Sequence, residues 1–250
     1  MDFNYNKIKL GNWLFKNSFP LYNLIYKRFK LKNDYEEIRL VKKLVKPGDS
    51  VLDIGGNIGF YASLLSTRVG AQGKVFSFEP DVTNFKHLKK NTASFRNVQI
   101  FNNAVSDKKE VIKIYTSKLL NVDHRTYPVN NYDQVHEINA VSIDNLIADK
   151  IIDRVDLIKI DIQGYELAAF TGMKNLLQNS FDLKIMAEYW PHGFKRAGTS
   201  AVIFFDFFDT LGYKFSIIEK DKLVPLSKDF VVKHNDEPFE FSFNVLIEKK

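Results

Sequence analysis

Val51-Leu52-Asp53-Ile54-Gly55-Gly56-Asn57-Ile58-Gly59-Phe60-Tyr61 is the stretch on which the reading of this chain turns. Val51, Leu52 and Ile54 read as a short buried strand. Gly55, Gly56 and Gly59 read as a tight turn that opens into a helix. Such a strand, turn and helix make a cradle for a small molecule. The glycines let backbone come close to a ligand, and the helix N-terminus offers it N–H groups.

Working outward, the pattern repeats. The helix after Gly59 carries Leu64, Leu65 and Val69 and ends at Gly70. A second strand, Lys74 to Phe78, is halted by Glu79-Pro80, and Asp81 and Thr83 are candidate caps for a second helix running through Asn91. A third strand, Val98 to Asn102, leads into Asn103-Ala104-Val105-Ser106-Asp107. Alternating strands and helices argue for a parallel sheet with right-handed crossovers. Residues 108–143 interrupt the rhythm, with strand patterns at Val111–Thr116 and Ile138–Ile143 and a polar stretch between them. A long irregular insertion in a compact domain is often functional. The alternation resumes with the apolar strand Asp156–Ile162, a helix to about Gln178, a strand at Leu183–Tyr189 and a helix at Ser200–Leu211. Tyr213–Ile218 and Phe241–Glu248 read as a closing antiparallel pair.

Upstream, Asp34 and Glu37 have the spacing of a capping box for a helix over residues 34–46. Ile38, Val41, Leu44 and Val45 share one of its faces, and Pro47-Gly48 stops it. Residues 1–32 are aromatic and basic, with Pro20 interrupting any single helix. They fit an arm that packs its aromatics on the core, a lid over a pocket, or a helix touching a membrane. The chain thus divides into an N-terminal helical arm or cap, 1–47, and a ligand-binding domain, 48–250, with its insertion at about 108–143.

Composition sets outer bounds. The chain has 250 residues, 45% hydrophobic and 26% charged, enough to bury a sizeable core. It has no cysteine, which excludes disulfides, thiolate catalysis and cysteine zinc sites and fits a cytoplasmic protein. No signal-peptide pattern and no run of apolar residues long enough to span a bilayer is present. A net charge of +6 admits an anionic partner, but basic and acidic residues intersperse along most of the chain.

Chemistry narrows the ligand. Glu79 stands twenty residues beyond Gly59, where an acid at a strand tip accepts the hydroxyls of a ribose. Asp53, two residues before the first glycine, would repel a pyrophosphate. It suits a ligand with a positive amino group, and S-adenosylmethionine carries an ammonium, a carboxylate and a sulfonium. Asp53 can meet the ammonium directly or through water, with turn N–H groups facing the carboxylate.

The segments 51–59, Phe78-Glu79-Pro80, 103–107 and Ile158-Lys159-Ile160-Asp161-Ile162-Gln163-Gly164-Tyr165-Glu166 resemble, in order and spacing, the FkbM-type methyltransferases. The resemblance covers roughly residues 48–218. It implies an α/β, Rossmann-like class I S-adenosylmethionine-dependent fold: a seven-stranded, mostly parallel sheet with one antiparallel strand and helices on both faces. It further implies O-methylation of a sugar, glycan or other small hydroxylated acceptor, with S-adenosylhomocysteine as product. Carried over, the resemblance puts the methionine end of the cofactor at Asp53, Gly55 and Asn57, and the ribose at Glu79. Ala104 and Val105 line the adenine, Gly56, Gly59, Phe60, Pro80 and Asn103 lie beside them, and Asp161 faces the crevice. The commonest family form has Glu where this chain has Gln163. Asp123-His124-Arg125 resembles a stretch found in some members with the Gln form.

Transfer to oxygen requires positioning and a proton acceptor. His124 is the first candidate base, Asp161 the second, and His192, in Trp190-Pro191-His192-Gly193, the third. A magnesium-dependent variant would use Asp161 and Glu188 at adjacent strand ends. Two other functions fit the same residues: an RNA methyltransferase, suggested only by the basic balance, and a binding protein that keeps the cofactor without turnover. Nucleic acid is disfavoured as a partner, since no appended RNA-binding module is present; a peripheral membrane contact stays open.

Overall fold

The computed structural model describes residues 2–117, 124–125, 132–220 and 222–250. Ser18 and Pro20 divide the N-terminal arm into two helices, α1 (Asp2–Asn17) and α2 (Phe19–Asn33), followed by α3 (Tyr35–Leu44). Pro20 sits in the first turn of α2, where its missing N–H costs nothing. The nucleotide-binding half then reads β1 (Ser50–Ile54), α4 (Phe60–Val69), β2 (Lys74–Phe78), α5 (Val82–Thr92) and β3 (Val98–Phe101). Asp81 caps α5 by accepting the Asn84 N–H at 2.7 Å.

Strand β4 (Ala104–Val105) leads into the insertion, which forms β5 (Glu110–Ser117), β6 (His124–Arg125) and β7 (Tyr132–Val141). The second half holds α6 (Ile143–Ala148), β8 (Leu157–Ile160), α7 (Glu166–Thr171), α8 (Lys174–Asn179), β9 (Lys184–Tyr189), α9 (Pro191–Arg196) and α10 (Ala201–Thr210). The chain closes with β10 (Tyr213–Glu219), β11 (Lys222–Leu226), α11 (Lys228–Lys233) and β12 (Phe243–Lys249).

The main sheet has the order β11-β10-β12-β9-β8-β1-β2-β3. Strands β9, β8, β1, β2 and β3 run parallel, and β12 inserts antiparallel between β9 and β10. This is the expected seven-stranded sheet, with β11 added antiparallel at the edge. Pro225 is tolerated there because an edge strand leaves one side unpaired. The insertion strands and β4 build a separate four-stranded sheet, β4-β7-β5-β6. Its strand β7 is longer than the alternation at Ile138–Ile143 suggests.

Period-two alternation sorts the side chains between two cores. Leu52, Ile54, Phe76, Phe78, Ile158 and Ile160 point to one face, packed with Phe170, Phe194, Phe204 and Phe208 from α7, α9 and α10. Val51, Val75, Leu157 and Met186 point to the other, against Ile38 and Val41 of α3 and Leu65 of α4. That second face also carries Asp53, which pairs in register with Ser77 on one side and Lys159 on the other. A polar row therefore runs through the second core.

The expected capping box is not formed. Asp34 makes no side-chain bond to the α3 backbone. It accepts instead from the Tyr61 hydroxyl at 2.9 Å and ion-pairs with Lys30. Glu37 likewise turns inward, accepting from Asn244 at 2.6 Å. Tertiary partners outcompete the local cap.

Candidate active site

A cavity of about 270 Å³ opens at the carboxyl ends of β1, β2 and β8, where open α/β sheets bind ligands. The glycine turn forms its floor. Gly55 has φ +86, and a Cβ there would lie 2.1 Å from the Asp161 carbonyl oxygen. Only glycine permits that crossing of backbones. The Asp161 N–H donates to the Ile54 carbonyl at 3.0 Å, locking the two strand ends together.

The turn N–H groups are already used within the protein. Gly55 and Gly56 both donate to the Phe78 carbonyl, at 3.0 and 2.9 Å, and Gly59 donates to the Gly56 carbonyl. Asn57 N–H donates to Glu79 Oε2 at 2.7 Å, and Ile58 N–H to Asn57 Oδ1. The expectation that turn N–H groups face a ligand carboxylate is therefore corrected. The positive end of this corner is the first turn of α4, whose regular bonding begins only with Ser63 donating to Gly59.

Glu79 lines the cavity and is 4% exposed. Burial pushes its carboxyl up to about 8, against the pull of the Asp81 and Asn57 N–H groups. Its two oxygens accept from those N–H groups at 2.9 and 2.7 Å, which fixes the carboxylate plane toward the cavity wall. Each oxygen keeps a second lone pair. Gly56, Asn57, Phe60, Pro80, Asn103, Ala104 and Val105 also line the cavity.

Asp53 and Gly59 do not line it. Asp53 is fully buried behind the turn, with Oδ2 accepting from the Ser77 hydroxyl at 2.8 Å. Its Oδ1 has no partner among the described residues. Burial raises its pKa, opposed by Lys159. An unpartnered buried carboxylate oxygen is costly and marks a place for a donor.

Asp161 stands at the tip of β8 with its side chain 40% exposed. Lys159 Nζ lies 3.6 Å from its Oδ2 and 4.6 Å from the centre of the Tyr61 ring. Burial works against ionising Asp161, yet Lys159, Lys30 and the Gln163 amide together hold its pKa below the usual range. Burial also works against the Lys159 charge, but Asp161, Asp53, Glu37 and Asp34 outweigh it and raise its pKa. Tyr61 lies 2.9 Å from both Asp34 Oδ2 and Glu37 Oε2, so its one proton serves two carboxylates. These groups form one buried network of alternating charge beneath the cavity.

Helix α2 supplies the wall opposite the sheet, through Tyr26, Phe29 and Lys30. Burial raises the Tyr26 pKa, as do Tyr22 and Asp161, so it stays a neutral phenol. Ile114 reaches the cavity from the insertion, next to Ala104 just before it. Tyr165 lines it too and bonds the Ser106 hydroxyl at 3.1 Å.

Of the other predicted residues, His192 and Glu188 do not line the cavity. His192, in α9, packs beside Trp190 and Phe239, with ring centroids 5.8 and 5.7 Å away, and is not a cavity residue. His124 pairs through its backbone with Thr116, two residues along β5 from Ile114. Its side chain lies outside the described residues, as does the whole of Asp123. The Gln163 amide joins Asp161 and Glu188, donating to Asp161 Oδ1 at 3.0 Å and lying 3.5 Å from Glu188 Oε2. The amide thus lies between the two carboxylates named for a magnesium-dependent variant. No group of three metal-ligating side chains occurs among the described residues.

Residues 53–215 match the family model described as the methyltransferase FkbM domain. The chain belongs to the FkbM methyltransferase family. It is 27% identical over 150 residues to the hexuronic acid methyltransferase AglP of Haloferax volcanii, covering 60% of each chain. It is 23% identical over 168 residues to the AMB antimetabolite synthetase AmbE of Pseudomonas aeruginosa, covering 52% of this chain and 8% of that protein. The match thus spans less than two thirds of the length of either relative. Among solved structures, the FkbM methyltransferase of Methylobacillus flagellatus superposes with a TM-score of 0.49 at 15% identity, over 80% of this chain and 43% of the other. The fold of this FkbM-family chain is that of class I methyltransferases, and its cofactor is S-adenosylmethionine.

Sequence reasoning missed Lys159, Tyr61, Tyr26 and Lys30 as site residues. Lys159 carried a signal, being the one charge in the apolar run Leu157–Ile160. Tyr61 ends the decisive stretch itself. Tyr26 and Lys30 had only their place in an aromatic, basic arm.

Proposed function

We propose that this chain methylates a hydroxyl oxygen of a sugar or other small hydroxylated acceptor. The observation that carries the reading is the cavity itself. It joins two carboxyl side chains, Glu79 and Asp161, across a glycine turn, and this placement supports Glu79 as the ribose acceptor. The hexuronic acid named for the AglP relative supports a sugar as acceptor.

The residues fit S-adenosylmethionine. Glu79 would accept from the ribose hydroxyls, and Asn103, Ala104 and Val105 would flank the adenine. The orphaned Asp53 Oδ1, buried behind the turn, would answer the ammonium through a water. The carboxylate would fall to the first turn of α4 and to Lys30, because the turn N–H groups are already used. When bound, the cofactor supplies an electrophilic methyl group on its sulfonium.

The protein's part is to orient the acceptor oxygen and take its proton. Asp161 stays ionised at neutral pH and faces the cavity. It serves best to hold the acceptor hydroxyl. His124, near neutrality in its unperturbed pKa, is the stronger base, and its backbone stands beside the cavity-lining strand β5. Tyr26, Phe29 and Ile114 would shield the transfer from water.

Calorimetry with S-adenosylmethionine and S-adenosylhomocysteine tests the pocket; absence of binding at millimolar concentration overturns the reading. Labelled methyl transfer to uronic acid glycosides tests the acceptor class. His124→Ala is expected to keep cofactor affinity and lose turnover, whereas full activity assigns the proton to Asp161.

A further inference from the structure

The net charge of the chain is not spread evenly. Seven of its 36 basic residues and none of its 30 acidic ones lie between Phe3 and Asn33, so the remainder sums to −1. The whole positive balance belongs to the α1–α2 hairpin.

The same hairpin exposes large apolar side chains. On α2, Leu21, Leu24, Ile25, Phe29 and Leu31 are between 47 and 58% exposed. At 100° per residue they fall on one arc of the helix, and Arg28 and Lys32, both exposed, fall within it. The opposite arc holds Tyr22, Tyr26 and Lys30. Tyr26 and Lys30 wall the cavity. Asn23 on that side ties α2 to α5 through Asn91 at 3.0 Å, and Phe19 stacks on His87 with centroids 3.4 Å apart. One face of α2 is therefore fastened to the domain, and the other presents aliphatic and cationic groups to the outside. Phe29 belongs to both, lining the cavity while 58% exposed. On α1, Trp13 is 57% exposed.

We infer that the outer face of α2 docks on an anionic lipid bilayer and brings the mouth of the cavity to the membrane surface. Aliphatic side chains interleaved with Arg and Lys, and free of acidic residues, match the apolar and anionic layers of a lipid interface together. A second copy of the chain fits less well. Two such faces in a twofold contact would oppose Arg28 and Lys32 to their own equivalents. Nucleic acid would meet the cations and leave Leu21, Leu24, Ile25 and Leu31 without a role. The docking implies that the acceptor is held at the bilayer surface. It does not depend on the chemistry of the transfer, since membrane binding is read without turnover.

Vesicle flotation and tryptophan fluorescence test it on the full chain. The chain has two tryptophans, and Trp190 is 4% exposed, so iodide quenching reports on Trp13. Binding to phosphatidylcholine vesicles containing phosphatidylglycerol is expected, with a blue shift and protection of Trp13, and little binding to phosphatidylcholine alone. Arg28→Gln with Lys32→Gln is expected to lower partitioning by about 25-fold, about fivefold for each charge. Leu24→Ser with Ile25→Ser is expected to lower it about tenfold or more while leaving cofactor affinity unchanged. No partition into anionic vesicles overturns the inference. So does partition that neither pair weakens, and so does self-association or RNA binding through this face in place of vesicle binding.

Discussion

Lys159 Nζ lies 3.6 Å from Asp161 Oδ2, and the lysine that makes this contact is 7% exposed. The pair joins the floor of the cavity to the second core. Lys159 also answers Asp53, its register partner on β1, and the carboxylates of α3. Lys159→Met keeps the volume and removes the cation buried among these carboxylates, leaving Lys30 alone to answer them. Leaving buried carboxylates uncompensated costs about 3–5 kcal/mol. Denaturant unfolding is expected to show that loss. The pKa of Asp161 is expected to rise in the variant, read as a shift of any activity profile to higher pH.

Stability should depend on pH in a definite direction. Burial raises Glu79 to about 8 and Glu166 to about 7, from 4.5. Glu166 accepts the Ile162 N–H at 3.0 Å, while its second oxygen has no partner among the described residues. Both carboxyls bind a proton more tightly folded than unfolded. Their contribution to stability is complete below 4.5 and is lost as pH rises through 7 and 8. Asp161 shifts the other way, but its window lies below the usual carboxylate range. The denaturation midpoint of the cofactor-free protein is expected to fall between pH 5.5 and pH 8.5. In Glu166→Gln the slope should flatten; an unchanged slope removes Glu166 from the account.

What the sequence made legible follows from distance along the chain. Gly55, Glu79 and Asp161 each sit in a local strand-end motif, so spacing places the first two and the family resemblance places Asp161. Lys159 was visible as a charge in an apolar strand, but its partners Asp34 and Glu37 come from a helix more than a hundred residues earlier. Those two acids carry a valid capping pattern, which the Tyr61 hydroxyl and Lys30 override only once the fold is made. Strand β11 is five residues long, contains a proline and is stabilised by its pairing with β10, so periodicity offered little. His192 was placed near the crevice from its position after β9, yet α9 turns it onto Trp190 and Phe239. The side of a short helix is not written in strand order.

Glu79 allows a test of the ribose assignment that separates binding from folding. Glu79→Ala frees the Asn57 and Asp81 N–H groups, so some loss of stability accompanies it. Two hydrogen bonds to a carboxylate are worth about 1.5–3 kcal/mol each. Calorimetry is expected to show S-adenosylhomocysteine binding weakened by about a hundredfold or more. An analogue lacking the ribose hydroxyls should bind the variant and the parent alike. If the variant discriminates against that analogue as the parent does, the ribose is read elsewhere.

Gln163 decides whether a metal has any place here. Its backbone is in the left-handed region, at φ +58, which carries the side chain back over the end of β8. Its amide separates Asp161 from Glu188, whose carboxyl is pushed up to about 8 by burial and by repulsion from Asp161 and Glu166. With the amide in place, the thermal midpoint of the parent is expected to be the same in magnesium and in chelator. Gln163→Glu replaces a donor with a third carboxylate. Like charges this close disfavour ionisation, so the variant should lose about 1–3 kcal/mol at pH 8. Three clustered carboxylates are also a ligand set for a hard divalent ion. Magnesium or calcium should therefore restore much of the lost stability in Gln163→Glu and leave the parent unmoved. A parent that is itself stabilised by magnesium would show that the amide swings away and that Asp161 and Glu188 hold the ion directly.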